Sequence, residues 1–408
     1  MLKLVGPFSQ IITLADGAIK GPLSDVSLGI IEQGGILIKH DKIVKVDAFS
    51  ALESETDQHE IISEDQVLLP GFIDCHTHLV WGGSRAQDYT LRMSGASYET
   101  ILAEGGGIFD SVTKTRGASK EDLRPSLIKR ANRHLSDGIT TIEVKSGYGL
   151  DLENELKILE TVKDAQSDLI PDLIPTCLAA HVCPKEFEDK KGYLAFIANE
   201  LFPALKQKGL TNRIDIFIEP TAFPVEIAEE YLIAAKNNGF QLTIHADQFH
   251  TGGSQLAVEL GALSADHLEA STEKEIKLMA ESDTVAVALP GASLGLGMNF
   301  TPSRKLLDAG ASLAIATDWN PGSAPMGDLL TQAAILGMYE KLSSAEIFAG
   351  ITYRAAKALG IEDRGKLVSG MKADFVSFPV NDYREILYHQ GSIKPGHVWK
   401  NGQQINHV

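Results

Sequence analysis

From residue 67 onward the chain alternates short apolar or β-branched runs with longer amphipathic segments, and this alternation narrows the available folds more than any other feature. Eight runs read as strands: 67–74 (VLLPGFID), 139–144 (ITTIEV), 173–180 (LIPTCLAA), 214–219 (IDIFIE), 241–246 (QLTIHA), 263–268 (LSADHL), 284–289 (TVAVAL) and 312–317 (SLAIAT). Helical patterns such as LENELKILETVKDA, PVEIAEEYLIAAKNNG and STEKEIKLMAES lie between them. The last opens on Ser271, Thr272 and Glu273, residue types favoured at a helix start. Eight strand-then-helix units predict an α/β chain forming a TIM-like (β/α)8 barrel. A doubly wound sheet would carry a glycine-rich dinucleotide loop after its first strand. Here GGGIFDSVTK (105–114) lacks the GK[ST] ending of a phosphate loop, and GASLGLG (291–297) does not fit GxGxxG. Both read as turn or binding-loop glycines.

The two ends have a different texture. Residues 1–66 hold short apolar segments broken by Gly and Asp, including QIITLADG and LGIIEQGGILIKHDKIVKVDAF. The C-terminus, with GKLVSGMKADFVSFPVND and IKPGHVWKNGQQI, is built the same way. Both read as strands joined by tight turns, and neither is large enough for a core of its own. The expectation is a small β domain from 1–66 and 371–408, set against a barrel of 67–370.

Barrel enzymes place their chemistry at the C-terminal ends of strands. His76 and His78 follow the first strand, His181 the third, Glu219 ends the fourth, His245 lies in the fifth, His267 in the sixth, and Asp318 closes the eighth. Residues two apart on a strand share a face, so His76 and His78 can converge on one point. A bare HxH can equally be a pair of histidines bonded to backbone. The joint placement of so many ligand types at equivalent positions favours a metal centre. His76, His78, His245 and Asp318 supply three imidazoles and one carboxylate, a set that suits zinc or iron, with a water completing the site.

At this point the chain resembles a known family. PGFIDCHTHL, IHAD, SADHLE, ATDWNPGSAP and GKLVSGMKADFVSF are similar to the metal-dependent amidohydrolase superfamily. HTHLVWGGSR, EGGGI, EVKSGYGL, LAAHVCP, HADQFH and TDWNPGSAP resemble its imidazolonepropionase branch, over essentially the whole length. The resemblance implies a barrel with a small β domain, and hydrolytic opening of 4-imidazolone-5-propanoate to N-formimino-L-glutamate. Two-metal members carry a carboxylated lysine at the end of the fourth strand, where this chain has Glu219; Lys145, on the second strand, reads as a salt-bridge or loop-support residue. A single metal on His76, His78, His245 and Asp318 is therefore expected. His267 and Asp318 are the implied catalytic residues, with His267 free to orient the attacking water. Arg85 becomes the expected clamp for the propanoate, because a guanidinium grips a carboxylate with two prongs. Tyr98, Tyr148, His181, Gln248, Asn320, Gly322 and Ser323 are the implied substrate-binding residues, with Trp81 and Trp319 as pocket walls. Some relatives have Glu where this chain has Gln248; a glutamine cannot take up a proton, so Gln248 is expected to bind substrate only.

A net charge of −17 argues against binding nucleic-acid backbones or anionic membranes through the whole surface. No apolar run approaches the roughly 18 residues of a membrane span. The N-terminus lacks a secretory pattern, and Cys75, Cys177 and Cys183 show no CxxC spacing, so a cytoplasmic protein with reduced thiols is expected. A small molecule is the expected partner; a homodimer rests on the family resemblance alone. Two other readings stay open: another cyclic amidohydrolase or deaminase, and a non-catalytic barrel acting as a scaffold.

Overall fold

Phe72–Asp74, Ile139–Lys145, Asp172–Ala180, Arg213–Phe217, Gln241–Ala246, Ser264–His267, Val285–Ala288 and Leu313–Ile315 form eight strands that pair in sequence order. Every pairing is parallel. The computed structural model describes residues 2–96, 100–101 and 104–405. The first and last strands meet through their C-terminal extensions. Asp318 N donates to His76 O at 3.0 Å and His78 N donates to Trp319 O at 3.0 Å. Below that seam Thr317 donates to Asp74 from N at 3.0 Å and from Oγ1 at 2.6 Å. Closing the barrel thus brings the HxH pair and Asp318 side by side. The predicted (β/α)8 architecture is what forms.

The helices between strands begin where the sequence signals they should. Asp151 caps Leu152–Ala165 by accepting from Asn154 N, and Thr272 caps Glu273–Glu281 in a reciprocal box with Glu275. The first of these buries Ile158, Leu159, Val162 and Ala165 against the barrel. Each buried Ile, Leu or Val contributes about 1.5–3 kcal/mol, which outweighs weak helix propensity. Residues 291–297 lie on Pro290–Leu296, a short helix that Gly297 ends with φ 66°. They form no phosphate loop.

A second sheet joins the chain ends. Leu2–Ile12, Ile30–Lys39 and Lys42–Ala48 pair antiparallel, and Phe375–Phe378, His397–Lys400 and Gln403–Gln404 extend the sheet from the other terminus. Val67–Pro70 connects the two halves, antiparallel to Phe375–Phe378 and parallel to Leu2–Ile12. Phe8, Ile36, Phe375 and Trp399 lie in the core of this sheet. The sequence reads 67–74 as one strand of the barrel; the structure divides it. Pro70 has no N–H to donate, and a Cβ on Gly71 would come within 2.6 Å of Thr140 Oγ1. The chain passes from one sheet to the other at that point, and Gly71 N donates to Asp374 O at 2.9 Å.

All three cysteines are free thiols. Among the described residues no helix is long and apolar enough to cross a membrane.

Candidate active site

The imidazoles of His76, His78, His245 and His267 and the carboxylate of Asp318 gather at the C-terminal mouth of the barrel, all five residues buried. Two overlapping triads result. Ligand atoms of His76, His78 and Asp318 all lie within 4.8 Å of one another, and so do those of His76, His245 and His267. His78 Nε2 is 3.3 Å and His76 Nε2 3.5 Å from Asp318 Oδ1. The His245 ring is 4.5 Å from His76 and 5.5 Å from His78, centre to centre. The expected ligands are therefore neighbours, and His267, read from the sequence as standing beside the metal, is drawn into the second triad. His267 and Asp318 both have positive φ, 88° and 50°, a strained backbone of the kind found at functional sites.

These residues fit a cation. His76 Nε2 is buried and makes no hydrogen bond among the described residues. Such an atom costs free energy unless something satisfies it. Asp318 opposes burial through its contacts with His76 and His78, which hold its carboxyl well below the usual range. Burial lowers His78 and His245, leaving neutral imidazoles able to donate a lone pair. His76 differs: burial and Lys145 push it down, but Asp266 and Asp318 prevail and raise it to about 9. Carboxylates that attract a proton to that ring also attract a metal ion in its place.

Behind the expected ligands is a layer that the sequence reading did not assign. Asp266 Oδ2 sits 2.6 Å from His76 Nδ1, and Asp215 Oδ2 sits 2.9 Å from His245 Nδ1. Asp266 holds the His76 ring by that hydrogen bond and leaves Nε2 towards Asp318, while Asp215 stands at ion-pair distance from His245. Lys145, fully buried, lies between them and forms the salt bridges expected of it. The signal was present in the sequence: Asp215, Asp266 and Glu143 are charges inside runs otherwise apolar enough to be buried on both faces.

Glu219 does not join the triads. Its Oε1 accepts from Phe249 N at 2.8 Å and its Oε2 lies 2.7 Å from His250 Nδ1, so it shapes the loop after the fifth strand. His267 Nδ1 faces Glu269 Oε2 at 3.5 Å.

Of the implied substrate-binding residues, Tyr148 and His181 stand next to His78. Tyr148 is buried, its ring 5.9 Å from His78 and 5.7 Å from His181. His181 Nδ1 is 3.1 Å from Gly147 O, and burial lowers its pKa to about 3, so it is neutral. Gln248 is buried. Arg85 Nε donates to Asp88 Oδ2 at 2.8 Å, and a Cβ on Gly322 would meet Arg85 Nη1 at 2.3 Å, which places the guanidinium against the loop after the eighth strand. Asn320 is wholly engaged within that loop: its Nδ2 donates to Asp318 O and Ser323 Oγ, and its Oδ1 accepts from Gly322 N and Ser323 N. Ser323 Oγ reaches Asp318 Oδ2 at 3.4 Å. Tyr98 lies outside the described residues. Trp81 and Trp319 are buried beside the ligands, with Arg130 stacked 3.2 Å over Trp81 and Arg133 4.7 Å over Trp319.

Comparison with known proteins agrees with this architecture. Residues 89–405 match the model of the amidohydrolase family. The chain is 40% identical to an imidazolonepropionase of Bacillus cytotoxicus, covering 98% of this chain and 95% of the relative. It is 39% identical to an imidazolonepropionase of Deinococcus radiodurans, covering 97% and 98%. Among solved structures, a zinc complex of atrazine chlorohydrolase from Arthrobacter aurescens TC1 superposes with a TM-score of 0.70 at 18% identity, covering 98% of this chain and 94% of that one. An adenosine deaminase from Xanthomonas campestris with bound zinc gives 0.71 at 18% identity, covering 98% and 92%. Those two share the fold; the near-full-length identity to the first two decides the family. With its barrel, its second sheet and its buried histidine–aspartate mouth, this chain belongs to the imidazolonepropionase family of amidohydrolases.

Proposed function

We propose that this chain hydrolyses the cyclic amide of 4-imidazolone-5-propanoate to N-formimino-L-glutamate, at a centre holding one zinc or iron ion. The observation that carries the reading is the pair of overlapping triads at the barrel mouth. His76, His78, His245 and Asp318 would hold the ion, and their nitrogen and oxygen donors suit either metal. When bound, such an ion lowers the pKa of water and polarises a carbonyl oxygen.

The remaining work belongs to side chains. The water oxygen bonds to the ring carbonyl carbon, the bond from that carbon to the ring nitrogen breaks, and the nitrogen takes a proton as the carboxylate forms. His267 orients the water and stabilises the developing oxyanion, with Glu269 facing its Nδ1. Asp318 receives the water's proton and passes it on towards the departing nitrogen. Arg85 clamps the propanoate; Asp88 occupies only its Nε, and its two Nη groups have no hydrogen-bond partner among the described residues. Tyr148, the neutral His181 and Gln248 bind the ring and its polar edges, while Asn320 holds Gly322 and Ser323 where they can meet the substrate.

The test is a parallel assay of 4-imidazolone-5-propanoate, hydantoins and purines on protein of measured metal content. Turnover of the first, in proportion to bound metal, is the expected result. A preference for a hydantoin or purine would replace this substrate by another of the superfamily, and an inert, metal-free protein would return the scaffold reading.

A further inference from the structure

Lys145 has no exposed surface, yet its ammonium reaches three carboxylates. Glu143 Oε1 is 2.9 Å away, Asp215 Oδ2 2.8 Å and Asp266 Oδ2 3.8 Å. Each of the three then touches a different part of the ligand set. Asp215 Oδ2 is also the atom beside His245 Nδ1, and Asp266 Oδ2 the atom beside His76 Nδ1. Glu143 Oε2 accepts from the backbone N of Thr77, the residue between His76 and His78, at 3.1 Å. Lys145 N itself donates to Thr77 O at 2.9 Å. One lysine therefore stands behind the first-strand pair and the fifth-strand histidine at once.

We infer that Lys145 is the positioning residue of the metal centre: one ammonium that holds Glu143, Asp215 and Asp266 in place, and through them sets the orientation of His76, the His76–His78 segment and His245. The physical need is clear. Three carboxylates buried around one point repel strongly in a medium of low dielectric, and would separate or gather protons without a cation between them. If Asp215 or Asp266 moved, the imidazole it fixes would turn with it. The partners behind metal-binding histidines commonly change metal affinity by about 10–100-fold when removed, and Lys145 supports two such partners together.

The inference rests on the single-metal reading above, and the experiment separates the two. Lys145→Met and the double variant Glu143→Gln/Lys145→Met are prepared beside the parent, stripped of metal, and titrated with Zn2+ against a competing chelator. The double variant removes one charge of each sign, so the buried net charge is unchanged and its folding is protected. Both variants are expected to bind Zn2+ at least tenfold more weakly than the parent. Loaded with Co2+, they should show altered d–d absorption, because the imidazoles no longer meet the ion at the same angles. At saturating metal, kcat should fall while KM for 4-imidazolone-5-propanoate stays near the parent value, since among the described residues Arg85, Tyr148 and Gln248 share no hydrogen bond or ion pair with Lys145. A double variant that binds Zn2+ as tightly as the parent, with the parent's Co2+ spectrum, overturns the inference. So does failure of both variants to fold, which would make Lys145 a residue of overall stability. If the parent itself binds no Zn2+ or Co2+ stoichiometrically, the metal reading falls first, and this inference with it.

Discussion

Asp88 Oδ2 accepts from Arg85 Nε at 2.8 Å and, with the same oxygen, from Gly107 N at 2.9 Å. One buried carboxylate thus joins the guanidinium expected to bind the propanoate to the glycine-rich turn at 105–107. Replacing it disturbs both. Asp88→Ala should raise KM for 4-imidazolone-5-propanoate by roughly ten- to a hundredfold, the scale of about 1.5–3 kcal/mol for a hydrogen bond to a charged group, with metal content unchanged. Arg85→Ala should do the same or more. An analogue lacking the carboxylate should be indifferent to both changes; equal loss on that analogue would mean the pair supports the loop and leaves the anion unbound.

His245→Ala and Asp318→Ala should each lose both bound metal and turnover. The two side chains come from different strands, and either deletion leaves an incomplete donor set. Metal analysis of the purified variants beside steady-state rates is the check. Full activity with stoichiometric metal in either variant contradicts the ligand assignment.

His267→Asn and Gln248→Ala should differ in kind. The first should keep its metal and lose about two to four orders of magnitude in kcat, the range typical of general acid–base help. The second should mainly raise KM. His267 belongs to a triad with His76 and His245, so metal content decides its role: loss of the ion in His267→Asn would make it a ligand.

Asp172 ties the base of the barrel to the second sheet. Its Oδ2 accepts from Lys400 Nζ at 2.9 Å and from Arg364 Nη1, and Lys400 Nζ also reaches Asp374 at 2.6 Å. Burial opposes the charge, but Lys400 and Arg364 prevail and hold the carboxyl at about 2, below its ordinary 3.8. A depressed folded-state value means stability that is present above about pH 4 and lost as pH falls towards about 2. Thermal melts of metal-free parent and Asp172→Asn, taken down that range, should converge as the pH drops. A constant gap between them would show that this carboxylate does not titrate with folding.

Much of the architecture is legible from residue pattern because burial on both faces leaves a plain mark. A strand such as Val285–Ala288, covered by its neighbours inside and by helices outside, must be apolar throughout, and an amphipathic segment such as Leu152–Ala165 must follow the helical period. The HxH pair is local for the same kind of reason: two residues apart on extended chain, His76 and His78 have to share a face.

What the pattern leaves open is everything set by contacts between distant segments. That 67–74 divides at Gly71 depends on the closeness of Thr140, which no local rule supplies. That Asn320 spends its side chain on its own loop depends on the turn the loop takes after Asp318. The pairing of Asp266 with His76, of Asp215 with His245, and of both with Lys145 exists because barrel closure brings the first, second, fourth, fifth and sixth strands around one axis. By itself the sequence determined the alternation of strands and helices and the shared face of His76 and His78, since those follow from periodicity and hydrophobic burial along the chain. Only the tertiary structure decided which charge faces which ring, because electrostatic pairing depends on distance in space, and the barrel sets those distances.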